Sequence, residues 1–365
     1  MKRVCLFDFT PIEDFHGYHI ETFDPLSYFP KGAHWSLSEL LSGGLNGWNK
    51  RRAILAGAAG VDRLYRERDP DYMRMAGDFI DRFRDFDLII FLHYNFIHPE
   101  LLANNLKKPV KIIGFVDDPM STYMRGIPYL WAFDGAFFIS PSYIDNIPFK
   151  AAINRWADKP TFWWPLVVSS FEKPICDDDA FFRERDVDLV YVGGMYGPKV
   201  ERLIRLKQPF GQRMRVHGRW AFKGYGGLIR GLQGRPVYPH RVTGLSTTER
   251  TGLYWHTKIG FNMHLSETPN ECGNMRTYEI PAHGMLMVSD KASDNAHARI
   301  FEPNQEAVYY DTFDQAIEII EYYLQNEKER VRIAKAGFHR YWSDYERDTN
   351  LLNLFHWAEG IRLAV

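Results

Sequence analysis

Two glutamates, Glu271 and Glu279, flank seven residues of the stretch NECGNMRTYEIPAHGMLMVSD, residues 270–290. Asn274 is a capping residue type, and it predicts a helix from about 275 to 283 that Gly284 ends. MLMVSD then reads as a short buried strand. A helix start carries partial positive charge and open backbone N–H groups, so it suits a diphosphate. Arg276 lies in that first turn, where its fork of donors serves the same task. Glu279 lies one turn further in, and Glu271 lies in the loop before the helix. Carboxylates beside an anion site suit the hydroxyls of a sugar ring and a ribose, because they accept paired O–H hydrogen bonds. The spacing alone equally fits a surface helix with solvated acids and a packing glycine.

Three further stretches carry chemistry. VYVGGMYGPK (190–199) runs from a strand through Gly193 and Gly194 to Gly197 and a helix opened by Pro198. Such a turn makes a nest of N–H groups for phosphate, with Lys199 and Arg202 on the following helix, or simply a tight strand-to-helix connection. It is neither G-x-G-x-x-G nor a P-loop. HGRWAFKG (217–224) places Arg219 and Lys223 after a strand end at His217 and Gly218, where they reach a phosphate or a base, or form a solvated loop. VDDPMSTYMR (116–125) ends a strand on Asp117 and Asp118. Adjacent carboxylates diverge, so a metal clamp is disfavoured, and either one is a candidate general base or a helix cap before residues 120–131. His16, His19, His34, His93 and His98 show no metal spacing and read as loop or strand-end residues. No G-x-S-x-G elbow supports serine-hydrolase chemistry.

These groups need rigid elements behind them. Runs at 2–9, 51–57, 87–94, 110–118, 135–140 and 161–168 are nearly continuous in apolar residues, as strands covered on both faces are. Residues 71–86 have helical spacing, while 10–50, rich in His, Trp, Gly and Pro, reads as an irregular insertion. The polar stretch 169–187 reads as a linker. A second series follows, with strands at 187–194, 213–218 and 258–264 and a helix near 247–256 capped by Ser246 and Glu249. Thr312 caps a helix over DQAIEIIEYYLQ, Asn326 with Glu329 opens another, and the last eighteen residues form an amphipathic helix that docks back on the first half. Alternating strands and helices predict an α/β protein of two doubly wound halves, residues 1–170 with 346–365, and 171–345. A chain of 365 residues exceeds one ordinary core.

Lys plus Arg number 45 and Asp plus Glu 46, so no basic excess favours nucleic acid. Three scattered cysteines suggest neither disulfides nor a thiolate zinc site and fit a reducing cytoplasm. Asp8 breaks the first apolar run, which therefore reads as a strand rather than a signal peptide, and no run approaches the 18 residues of a membrane span. Peripheral membrane contact stays open.

The pattern Asn274, Arg276, Thr277, Tyr278, Glu279, Ala282, Gly284 and Asp290 resembles the C-terminal signature of the CgeB-like glycosyltransferases. Residues 301–337, VYVGGMYGPK and VDDP are similar to that group too. The resemblance is strong over 185–345, loose over 85–168 and absent over 10–80. It implies the GT-B architecture: two Rossmann-like domains facing a cleft, with a C-terminal helix returning to the first. It implies a nucleoside-diphosphate sugar, a UDP-sugar, held by the second domain, and an acceptor held by the first. Glu271 would contact the transferred sugar and Glu279 the ribose, as in the E-x7-E pattern of retaining enzymes. The donor contacts would be Gly193, Gly194, Asn274, Arg276, Thr277 and Glu279, with Lys199, Arg219 and Lys223 competing for the phosphate pair. No metal or other cofactor is implied. A glycan, protein, lipid-linked or small-molecule acceptor all fit. The alternatives are a catalytically degenerate GT-B domain acting as a binding or structural protein, and a nucleotide-sugar epimerase.

Overall fold

The computed structural model describes residues 1–7, 9, 11–28, 58–92, 96–116, 126–142, 159–166, 171–174, 178–195, 199–218, 231–234, 237–238, 242–264 and 272–363. The chain divides into two compact units: Met1–Ile139 with Tyr143–Ser169 and Asn350–Val365, and Ser140–Ser142 with Ser170–Thr349.

In the first unit six parallel strands run in the order β2-β1-β3-β4-β5-β6. They are β1 (Lys2–Phe7), β2 (Tyr18–Phe23), β3 (Leu88–Phe91), β4 (Val110–Phe115), β5 (Gly135–Phe138) and β6 (Thr161–Trp163). Alternate side chains point to opposite faces of a strand. Cys5, Phe7, Ile89, Phe91, Ile113 and Phe115 therefore enter one core, and Val4, Leu6, Leu88, Ile90 and Ile112 enter another. Helices α1 (Ala58–Arg66), α2 (Pro70–Phe83) and α3 (Pro99–Asn105) belong to the first side, where α2 contributes Tyr72, Met75, Phe79 and Phe83. The last helix, α10 (Arg347–Leu363), closes the second side with Leu351, Leu354, Phe355 and Ala358. Both faces are covered, which is why the strands read as unbroken apolar runs.

One strand corrects the expectation of an irregular insertion. β2 pairs with β1 from Lys2↔Tyr18 to Phe7↔Phe23. Tyr18 and Ile20 face the core shared with α10, while His19 is held at the edge by Asp14 at 2.8 Å. Short alternation at a half-polar edge was hidden by the surrounding His and Gly. Residues 29–50 and the predicted strand 51–57 lie outside the described residues.

The second unit holds five parallel strands in the order β11-β10-β9-β7-β8. They are β7 (Val187–Val192), β8 (Met214–His217), β9 (Thr257–Phe261), β10 (Leu286–Asp290) and β11 (Val308–Tyr310). Around them lie α4 (Asp179–Arg183), α5 (Lys199–Phe210), α6 (Thr247–Trp255), α7 (Met275–Ala282), α8 (Phe313–Gln325) and α9 (Glu327–Asp344). In both sheets the second strand lies on one side of the first and the third strand on the other, after which the order runs outward. Each sheet thus has a topological switch point, between β1 and β3 and between β7 and β9. Ligands of open α/β sheets bind outside the carboxyl ends of strands at that point.

The expected caps form at Ser246–Glu249, where both capping-box bonds are present, and at Thr312, which accepts from the Gln315 amide. Asn326 differs: its side chain donates to the Tyr322 carbonyl and so closes α8 rather than capping α9. The stretch read as a linker also differs. Asp178 caps α4, Phe182 is fully buried, and the Arg185 guanidinium donates to the carbonyls of Phe181, Tyr254, Thr257 and His283. Burial, then the nearby Arg330, pushes the Arg185 pKa down to about 9. Its polar composition concealed a buried arginine that ties α4, α6, β9 and the end of α7 together. Among the described residues no helix is long and apolar enough to cross a membrane, and no group of three or more His, Cys, Asp or Glu is arranged to hold a metal.

His283, just past α7, gives a pH prediction. It is 1% exposed, and its Nδ1–H donates to the Glu279 carbonyl at 2.7 Å. Its pKa is pushed down from 6.5 to about 4: burial lowers it most, the hydrogen bond to Glu279 opposes that, and Arg250 and Arg185 add to the lowering. The unfolded chain therefore binds the proton first. This contribution is full above pH 6.5 and is lost as the pH falls toward about 4, on the order of 3 kcal/mol. Urea midpoints should fall over that window in the wild type and fall less in His283→Gln. An equally steep fall in the variant would contradict it.

Candidate functional site at the second switch point

The carboxyl ends of β7, β8 and β9 meet the start of α7 at one place. After β7 the chain turns at Gly193, whose amide donates to the His217 carbonyl at the end of β8. Gly218 follows with φ +137°, and a Cβ there would lie 2.0 Å from the Gly193 carbonyl oxygen. A Cβ on Gly193 would in turn lie 2.3 Å from Nη1 of Arg276. These two glycines let the strand ends approach each other and let the arginine lie on the turn. Tyr191 closes the turn by donating to the Gly194 carbonyl at 3.1 Å.

Arg276 crosses the switch point. It donates through Nη1 to the Val192 carbonyl at 3.5 Å and through Nη2 to the Met263 carbonyl at 3.1 Å. Its Nε donates to Asn262 Oδ1 at 3.0 Å, and the guanidinium lies 5.0 Å from the centre of the Tyr191 ring. A cation is therefore fixed between the ends of the two strands. Asn274 caps α7 by accepting from the Thr277 amide, and its own amide donates to Asn262.

Asn262 was not anticipated, and it holds the site together. It is fully buried. Its oxygen accepts from Asn274 and Arg276, and its amide donates to Thr277 Oγ1 at 3.2 Å and Ser289 Oγ at 3.1 Å. Asn262→Ala would leave several buried polar groups without partners. It should cost about 3 kcal/mol of stability, read from urea unfolding; a loss within ~0.5 kcal/mol would contradict the hub role.

A second buried pair lies beside it. Asp290 accepts from the His264 amide at 2.7 Å and pairs with its Nδ1 at 2.8 Å. Burial alone would raise the Asp290 pKa, but His264, by charge and hydrogen bonds, and Arg202 outweigh it and hold the carboxyl below its ordinary value. Arg202, on α5, donates to the His264 carbonyl. No partner for His264 Nε2 is found among the described residues.

Glu279 lies deeper in α7 and is 4% exposed. Its Oε1 is 3.2 Å from Nη1 of Arg250 on α6. Tyr254 sits against it; burial, then the Glu279 charge, pushes that phenol pKa well up. The structure thus gathers Gly193, Gly194, Asn274, Arg276 and Thr277, and sets Glu279 beside Arg250. Lys199 is buried on α5. Glu271, Asp117, Asp118, Arg219 and Lys223 lie outside the described residues. Of the loop histidines, His98 accepts from the Glu100 amide to cap α3 and stacks on Tyr65 at 3.9 Å. Asn262 left one trace in the sequence, a polar side chain at the end of an apolar strand. Arg250 left none, because the face α6 turns to α7 is a tertiary fact.

A family described as glycosyl transferase-like matches residues 200–355. No curated protein sequence matches the chain. Solved structures share the fold. Sucrose-phosphate synthase from Thermosynechococcus elongatus aligns with TM-score 0.61 at 11% identity, over 100% of both chains. Anabaena Alr3699/HepE in complex with UDP-glucose aligns with TM-score 0.55 at 11% identity, over 99% of this chain and 100% of that one. An alpha-glucosyltransferase in complex with UDP-glucose and DNA containing an abasic site aligns with TM-score 0.57 at 9% identity, over 98% and 99%. The fold is that of the GT-B glycosyltransferases.

Proposed function

We propose that the chain is a glycosyltransferase that moves a sugar from a UDP-sugar to an acceptor, with retention and without a metal. The observation that carries this is Arg276, fixed across the switch point against the Gly193 turn at the start of α7. Breaking the sugar–phosphate bond leaves negative charge on a diphosphate. A helix N-terminus and a held guanidinium stabilise that charge as it forms. Gly193, Gly194, Asn274 and Thr277 shape the phosphate cradle, Lys199, Arg219 and Lys223 supply further cations, Glu279 takes the ribose and Glu271 the transferred sugar. With retention, the departing phosphate oxygen accepts the acceptor's proton as the acceptor oxygen bonds the sugar carbon. With inversion, Asp117 or Asp118 would act as the base.

The second unit, with residues 171–345, would hold the donor, and the first, with α10, the acceptor. The signature from Asn274 to Asp290 supports the CgeB-like branch. The three scattered cysteines, with no pair spaced for a disulfide framework, fit a cytoplasmic setting. One observation favours a module that only binds: Glu279 and Arg276 already have protein partners. Incubation with a panel of nucleotide sugars separates the readings. Release of nucleoside diphosphate supports transfer; thermal stabilisation without release supports binding alone; neither response to any donor would sink both.

A further inference from the structure

A concavity lies at the β11 edge of the second unit, apart from Arg276 and the switch point. It is an open groove of about 710 Å³ between the segment after β10 and α8, within the size range of ligand sites. His297 lies in its lining and is 3% exposed. The Ala292 amide donates to its Nδ1 at 3.1 Å. Nδ1 is thus an acceptor, and the neutral ring carries its proton on Nε2. Burial, then Lys291, pushes its pKa down to about 4, so the ring is neutral near pH 7. On α8, Gln315 accepts from the Asp311 amide through Oε1 at 2.7 Å, which leaves its NH2 as the end that donates. Glu318 adds a carboxylate, and Tyr322, 52% exposed, adds an aromatic face at the rim.

The charge pattern narrows the ligand. Lys291 pairs with Asp311 at 2.7 Å. Its ammonium is therefore already engaged, and Glu318 repels an anion, so a phosphate or nucleotide is disfavoured. The lining is mixed: Gln315, Glu318 and Asn304 among apolar and tyrosine side chains disfavour a purely apolar ligand, which would bury those polar groups without partners. Neutral donors, one carboxylate and tyrosine faces suit a molecule with many hydroxyls and flat apolar C–H faces.

We propose that this groove binds an uncharged saccharide, with a sugar face on Tyr322 and hydroxyls on Gln315, Glu318 and His297. Its use as a hold on the acceptor chain rests on the proposed glycosyl transfer; the saccharide chemistry rests on the groove alone.

Calorimetric titration with maltoheptaose, cellohexaose and chitohexaose, with and without saturating UDP, tests it. At least one oligosaccharide should bind, equally with and without UDP. Tyr322→Ala and Gln315→Ala should each weaken it about tenfold while leaving UDP affinity unchanged. Absence of binding by all three, binding unaltered in both variants, or displacement by UDP would overturn the assignment. So would self-association that Tyr322→Ala abolishes, which would give the patch to a second copy of the chain. A wild type that binds oligosaccharide but not UDP would keep the groove and remove the transferase reading.

Discussion

Glu279→Ala is expected to weaken UDP binding about 10- to 100-fold and to lower turnover at least as much. A hydrogen bond to a charged group contributes roughly 1.5–3 kcal/mol, and each ~1.4 kcal/mol is tenfold in affinity. The carboxylate is 4% exposed, and Oε1 is held by Arg250 at 3.2 Å, so the group enters a complex already oriented. Arg250 alone does not exhaust its capacity, since a carboxylate has about four acceptor sites. The same contact creates a rival explanation, an ion pair that only steadies α6 against α7. The double variant Glu279→Ala with Arg250→Ala separates the two. It removes the unpaired cation, so stability should recover relative to Glu279→Ala, while UDP affinity stays low. Affinity at the wild-type level in Glu279→Ala would show that the glutamate is structural only.

Gly218→Ala should be the most damaging small substitution at the site. The added Cβ would lie 2.0 Å from the carbonyl oxygen of Gly193, at a residue whose φ is +137°. Neither atom sits on a flexible side chain, so the ends of β7 and β8 must separate. Backbone strain and a forced shift together should cost about 3–5 kcal/mol. Gly211 supplies the control: its φ is +51°, but nothing lies within 4 Å of a Cβ there. Gly211→Ala should lose only about 1–2 kcal/mol, the cost of the left-handed conformation itself. Equal urea midpoints for the two variants would mean that the approach of Gly218 to Gly193 does not matter.

Most of the architecture was legible because burial on both faces writes itself as continuous apolar runs. Val4 and Leu6 needed one core while Cys5 and Phe7 needed another, and α2 and α10 supply them. Caps were legible where the side chain bonds its own helix, as at Asn274, Ser246 and Thr312. Asn326 misled because an asparagine between two helices can serve either one. β2 and β11 were missed for different reasons. The first alternates weakly among polar neighbours, and the second is three residues long. At the site, Gly193, Asn274 and Arg276 showed through local motif. What the sequence did not carry was pairing across space: the Asn262 hub, the Glu279–Arg250 contact and the packing of Gly218 on Gly193. Each joins side chains or strand ends that become neighbours only once the second sheet and its helices have packed.

The central claim is that a UDP-sugar lies across the switch point of the second sheet. A crystal of the protein grown with UDP tests it most directly. Electron density should place the diphosphate at the start of α7 beside Arg276 and the Gly193 turn, with a ribose hydroxyl on Glu279. UDP bound elsewhere on the chain, or no density beside Arg276 at saturating UDP, would contradict the account.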